Sequence, residues 1–159
     1  MMAVAVVAAA TGCSAAAGHP ASSPSARPPA APVARDPRAA AALLKIATVF
    51  NREYDTGDYG PVYDRWDARS QAVISRAGYI RRHRECPSAP HAAAQVESAT
   101  PGPHGAWVVA YEIGGQQLTD YWFYVHGRWA FDLVLSNPGA VKLYRLSPQR
   151  YAAAVGCGH

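Results

Sequence analysis

Two carboxylates and an imidazole fall where they could do chemistry. Asp120, Asp132 and His126 lie in residues 105–134, a stretch dense in aromatic and β-branched side chains. A carboxylic acid enclosed by apolar groups has its pKa raised by desolvation, and it can then work as a general base near neutral pH. Asp120 and Asp132 are therefore the candidate catalytic residues. The same residue types also suit a plainer arrangement, with both carboxylates facing solvent or paired to arginine and His126 in an exposed hairpin turn. That arrangement is the expected one, because nothing else in the chain completes a constellation. The sequence holds no GxSxG, no HExxH, no phosphate-cradling glycine loop and no acidic metal cluster. His19, His83, His91, His104 and His159 are scattered without ligand spacing, so neither a metal nor a cofactor is expected. The aromatic set Tyr111, Tyr121, Trp122, Tyr124 and Trp129 offers a second chemistry, a pocket for an apolar or ring-bearing ligand. Core packing, which every such sheet needs, competes for the same rings.

The elements that must position these residues are strands. Residues 105–113, 116–125 and 129–134 are three β-rich runs separated by Gly114-Gly115 and by His126-Gly127-Arg128, the pattern of an antiparallel meander. Alternation places Trp107, Val109, Tyr111 and Ile113 on one face. In the next run Leu118, Asp120, Trp122 and Tyr124 share a face, opposite Thr119, Tyr121, Phe123 and Val125. In the last, Trp129, Phe131 and Leu133 oppose Ala130 and Asp132. Both faces are substantially apolar, so one must meet helices. A further strand is expected over 91–99, turned into the meander by Pro101-Gly102-Pro103-His104-Gly105.

Upstream the spacing is helical. Asp36-Pro37 predicts a helix start, with Asp as cap and Pro at the first helical position. Leu43, Ala47, Phe50 and Tyr54 form a buried stripe, and Gly57 ends the helix near Tyr54. A short helix is expected over 61–67, and a third over 76–85 capped by Ser75 with Tyr79 and Ile80 inward. Arg81, Arg82, His83 and Arg84 read as a solvated basic face, with contact to lipid headgroups or an acidic partner as the sharper alternative. A last short helix is expected near 148–154.

The chain has 159 residues and a net charge of +4, but all except one of its fifteen Lys and Arg residues lie at or beyond Arg35. No basic stripe interleaved with aromatics occurs, so nucleic acid is not an expected partner. Residues 1–12 are short, apolar and rich in small side chains, as in a secretory signal peptide. Ala10-Thr11-Gly12-Cys13 resembles a bacterial lipoprotein lipobox; the resemblance implies cleavage before Cys13 and a lipid anchor on its sulfur. Residues 13–35, almost entirely Ala, Ser, Pro and Gly after the cysteine, read as a disordered tether, and 36–159 as a single domain. With Cys13 lipidated, Cys86 and Cys157 remain as an even pair in an exported domain, which predicts a disulfide; neither has the CxxC spacing of a zinc site.

Helices first and about four antiparallel strands after them predict an α+β domain with the helices on one face of a curved sheet. Residues 55–60 (Asp-Thr-Gly-Asp-Tyr-Gly), 74–80 (Ile-Ser-Arg-Ala-Gly-Tyr-Ile) and 121–133 (Tyr-Trp-Phe-Tyr-Val-His-Gly-Arg-Trp-Ala-Phe-Asp-Leu) resemble the nuclear transport factor 2-like superfamily of cone-shaped domains. The resemblance covers roughly residues 38–135. It implies a cone that in some members carries an Asp or His for isomerase, dehydratase or cyclase chemistry and in many others only binds a ligand or partner. Small lipoproteins of high-GC Gram-positive bacteria often carry such a domain, and the composition is compatible with that source. The expectation is a lipid-anchored protein of the bacterial envelope, outside the cytoplasmic membrane, that binds an envelope partner or a small apolar molecule without catalysis. The alternative is an isomerase or dehydratase using Asp120 or Asp132.

Overall fold

The computed structural model describes residues 36–87 and 92–157. The signal peptide, the tether and the lipidated Cys13 expected from the sequence lie outside the described residues. These described residues belong to one compact unit. Its helices α1 (Ala40–Asp55), α2 (Tyr59–Asp64), α3 (Ala68–Gln71) and α4 (Arg76–Glu85) precede strands β1 (Gln95–Pro101), β2 (Trp107–Ile113), β3 (Gln116–Val125) and β4 (Arg128–Asp132). Three more helices follow: α5 (Leu133–Ser136), α6 (Pro138–Tyr144) and α7 (Pro148–Val155). The domain is α+β, with a four-stranded antiparallel sheet in the order β1-β2-β3-β4. No helix among the described residues is long and apolar enough to cross a membrane.

The meander closes on two-residue turns. Gly114 and Gly115 have φ of 58° and 82°, and His126 and Gly127 have 50° and 79°. Positive φ at both central positions gives the local twist that matches antiparallel strands, which is why glycine recurs there. His126 is exposed at the tip of its turn. Register pairs Trp107 with Trp122, Val109 with Asp120 and Trp122 with Phe131, so all of these project from one face. That face receives α1: the Phe50 ring meets Trp122 edge-on at 5.1 Å and Phe131 at 4.8 Å. Leu43, Ala47, Phe50, Trp66, Tyr79, Trp122 and Phe131 form the centre of the core.

Four expectations need correction. Helix α1 begins at Ala40, not at Asp36-Pro37. Asp36 instead closes a turn, its carboxylate accepting the Arg38 N–H at 2.9 Å, and the Pro37 carbonyl is taken by the Trp129 indole N–H at 2.9 Å. That carbonyl is therefore spent on the sheet and not on a first helical turn. Second, the helix expected over 61–67 runs instead from Tyr59 to Asp64, and α3 follows it as a separate element. Between them the backbone runs beside β4: Phe131 N–H donates to Arg65 O at 2.8 Å and Asp67 N–H to Phe131 O at 2.9 Å. This covers a sheet edge that would otherwise expose unpaired backbone groups. Third, β1 starts at Gln95 rather than 91 and reaches Pro101, with a register shift between Val96 and Ser98.

The fourth correction concerns α4. Ser75 caps it as expected, its hydroxyl accepting the Gly78 N–H at 3.2 Å. Its basic run is not uniformly solvated. Arg81 and Arg84 are exposed, but Arg82 and His83 are buried. Arg82 donates to three carbonyls at the end of α6, those of Leu143 (3.1 Å), Tyr144 (2.9 Å) and Leu146 (2.6 Å), and its guanidinium lies 4.9 Å over the Tyr151 ring. The last carbonyls of a helix have no intrahelical partner, and a cation there also meets the negative end of the helix dipole.

Cys86 and Cys157 form the expected disulfide, with Cα atoms 5.6 Å apart. It fastens the end of α4 to Cys157, the second residue beyond α7. We expect Cys157→Ser to lower the unfolding free energy by up to about 4 kcal/mol, the chain-entropy value for a loop of this length. A urea melt of the two proteins, with the native protein repeated under dithiothreitol, measures it. Superimposable melts would show that the bond does not brace α7.

Candidate functional site

Between α1, α4, the sheet and the C-terminal helices lies a cavity of about 560 Å³. Helix α1 contributes Phe50, Asn51, Tyr54 and Asp55, and α4 contributes Tyr79 and His83. The sheet supplies Tyr111, Ile113, Leu118 and Asp120. Helices α6 and α7 close the remaining wall with Leu143, Tyr144, Tyr151 and Val155. Helical spacing aims Asn51 and Tyr54 from adjacent turns of α1, and strand alternation aims Tyr111 and Asp120 from the same face of β2 and β3.

The polar groups in this wall are few. Asp120 is only 6% exposed, and the Tyr111 hydroxyl is its hydrogen-bond partner, donating to Oδ1 across 3.4 Å. Burial pushes the Asp120 carboxyl up to about 7, against the smaller opposing effect of the Tyr111 hydrogen bond. Burial, with Asp120 beside it, also raises the Tyr111 phenol above its ordinary value. His83 sits among rings, with Tyr59 stacked at 4.7 Å and Tyr79 edge-on at 4.5 Å. Its Nε2 shares a 2.7 Å hydrogen bond with the Tyr144 hydroxyl. Burial holds the imidazole down to about 4, so it is neutral at pH 7. Three buried atoms of the wall residues have no hydrogen-bond partner among the described residues: Asn51 Nδ2, His83 Nδ1 and Trp66 Nε1. Such orphans are uncommon, because an unmet buried polar atom costs about 1–3 kcal/mol.

The structure separates the two candidate carboxylates. Asp120 lines the cavity; Asp132 does not. Asp132 accepts the Leu135 N–H at 2.9 Å as the cap of α5 and pairs with Arg69 at 2.5 Å. Both of its oxygens are thus engaged in joining β4 to α3 and α5. His126 is remote in its turn. Of the aromatic set, Tyr111 alone lines the cavity. Trp122 is fully buried in the core. Tyr124 and Trp129 border a separate hollow with Pro37 and Arg128, and Tyr121 projects from the opposite face of the sheet.

The rings that do build the wall come from helices. Tyr54 and Tyr79 carried a helical-spacing signal that read simply as core. Tyr144 and Tyr151 sit behind Asn137-Pro138 and Ser147-Pro148, whose side chains cap α6 and α7 by accepting the Ala140 N–H at 2.8 Å and the Arg150 N–H at 3.3 Å. Those cap-proline pairs announce helix starts, but nothing local says which wall the helices will build. Among the described residues, no group of three or more His, Cys, Asp or Glu side chains is placed to hold a metal ion.

Asp120 gives the domain a pH signature. Its folded pKa, about 7, lies above the ordinary carboxylate value near 4, so the folded state binds the extra proton. The associated stability is fully present below pH 4 and is lost as pH rises toward 7. His83 acts in the opposite sense, gaining stability between about pH 4 and 6.5. The difference between the native protein and Asp120→Asn cancels the histidine. We expect the variant to melt close to the native protein at pH 4 and to be the more stable of the two at pH 8, by at most about 4 kcal/mol. Thermal melts across this range test it, and a difference that does not vary with pH would be inconsistent with a desolvated Asp120.

No protein-family model, no curated protein and no solved structure matches this chain.

Proposed function

We propose that this domain is a non-catalytic binding module that takes a small, largely apolar, ring-bearing ligand into the tyrosine-walled cavity. We further propose that it works as a lipid-anchored protein of the bacterial envelope, held outside the cytoplasmic membrane by Cys13. One observation carries the binding reading. One cavity of about 560 Å³ joins aromatic walls to buried polar atoms, Asn51 Nδ2 and His83 Nδ1, that have no partner among the described residues. Enclosures of roughly 300–1,000 Å³ with mostly apolar walls and a few placed polar groups are the common form of small-molecule sites. The order of helices then antiparallel strands supports membership of the nuclear transport factor 2-like superfamily, whose cone this cavity would be. The anchor rests on residues 10–13 together with the Cys86–Cys157 disulfide, since such bonds persist in oxidising, extracytoplasmic surroundings.

Calorimetric titration with a neutral ring compound, 2-naphthol, tests the binding reading. Saturable binding is expected, weakened at least about tenfold (1.4 kcal/mol) by Ala140→Leu, which fills space in the cavity wall. Binding indifferent to that substitution would remove the cavity from consideration. For the anchor, Cys13→Ser expressed in a Gram-positive host should move the protein from the membrane fraction to the medium. A variant that stayed with the membrane would exclude attachment through this residue.

A second reading, an isomerase or dehydratase, is favoured by one specific feature: the cavity carboxyl of Asp120, pushed up to about 7, has the proton affinity of a general base at neutral pH. Exchange of the α-protons of cyclohexanone in D₂O, followed by NMR, separates the two readings. Exchange that falls about a hundredfold or more in Asp120→Asn would establish the enzyme. Exchange no faster than buffer would leave the binding module.

A further inference from the structure

The cavity has a sign. The whole chain carries +4, yet among the described residues no lysine or arginine lines this space. Its ionisable members are Asp120, Asp55, tyrosines and a histidine that burial keeps neutral. Three ion pairs, Glu53 with Arg65, Asp132 with Arg69 and Asp64 with Arg76, lie elsewhere and leave Asp120 out. Asp55, itself exposed, accepts the Ala94 N–H at 3.4 Å. Asp120 is the deep carboxyl, and its protein partner is one long hydrogen bond from Tyr111. A buried carboxylate without a counter-charge is among the most costly features a fold can keep.

From this geometry we infer that the ligand is an organic monocation, an ammonium group on an apolar ring-bearing body, with the ammonium against Asp120 and the body among the tyrosine rings. This inference rests on the binding reading above and adds a charge class to it. Two independent features of the cavity meet in such a ligand. An ammonium supplies N–H donors and the positive charge that the protein withholds from Asp120. Tyr54, Tyr111 and Tyr144 line the space, and the face of such a ring carries negative quadrupole density, which attracts a cation and not an anion. A neutral ligand uses the rings but leaves the carboxylate's charge unmet. An anion of the same shape is repelled by both. The distribution of charge agrees in part: Arg82 is engaged outside the cavity on the carbonyls of Leu143, Tyr144 and Leu146, and Arg69 on Asp132.

Three ligands of matched shape test the inference on the full soluble domain at pH 8: 2-phenylethylammonium, 2-phenylethanol and 3-phenylpropanoate. The ammonium should bind at least about tenfold more tightly than the alcohol, and the carboxylate more weakly than either. Asp120→Asn should erase the preference for the ammonium and leave the alcohol within about threefold of its native affinity, with circular dichroism confirming the fold. Should that variant not fold, intermolecular NOEs from the methylene next to the ammonium nitrogen to the Tyr111 ring in the native protein replace it. Equal affinities for ammonium and alcohol, a preference that survives in Asp120→Asn, or NOEs confined to other rings would overturn the charge assignment while the cavity reading stands. If none of the three binds saturably, and 2-naphthol also fails, the cavity reading falls and this inference with it.

Discussion

Where α6 ends, the C-terminal helices meet α4 at one buried cation. Arg82 reaches from α4 to the carbonyls of Leu143, Tyr144 and Leu146, where α6 ends and the chain turns toward α7. These are the acceptors that a helix terminus leaves unmet, so one guanidinium satisfies three groups whose desolvation would otherwise oppose docking. The same side chain lies on the Tyr151 ring, and the disulfide from Cys86 to Cys157 holds the far end of α7 one helical turn further along α4. Leu143, Tyr144, Tyr151 and Val155 form the outer wall of the cavity, so these two links help to fix that wall. Fixed donors suit this task better than a lysine, since the planar fork of arginine serves several acceptors at once.

The cavity trades stability for polarity. Phe50, Trp66, Tyr79, Trp122 and Phe131 give the core its apolar mass, and a domain built only to be stable would continue that packing to the surface. Here the packing stops at a space edged by a raised carboxyl, a depressed imidazole and an amide nitrogen with no partner. Each of these opposes folding, and they lie on one enclosure. Asp132 shows the alternative treatment of a buried carboxylate on the same sheet. It is as deeply buried as Asp120, but a helix cap and an arginine take up its oxygens, and it serves architecture. The contrast between two aspartates on opposite faces of one sheet is the clearest mark of where a ligand would be needed.

Much of the framework was legible because it depends on short-range chemistry. Gly114-Gly115 and His126-Gly127 dictated tight turns, alternation dictated which residues share a face, and Ser75 and Gly57 bounded helices within a residue or so. Where the reading slipped, a distant group had intervened. The Pro37 carbonyl went to Trp129, and the backbone at Arg65–Asp67 went to the edge of β4. Arg82 and His83 are a different case. They stand three and four residues after Tyr79, so the helical period already turned them inward, but four adjacent basic residues suggested solvent and masked that phase.

The sequence by itself determined the class of the domain, the pairing order of its strands, and the candidacy of Asp120 and Asp132, because turn geometry, side-chain period and residue chemistry act over a few residues. Tertiary structure alone decided between those two carboxylates. Which of them keeps its charge satisfied depends on Arg69, arriving from some sixty residues away, and which faces a cavity depends on α6 and α7 folding back under Arg82. Desolvation is a property of everything that surrounds a group, and no local pattern in the chain records it.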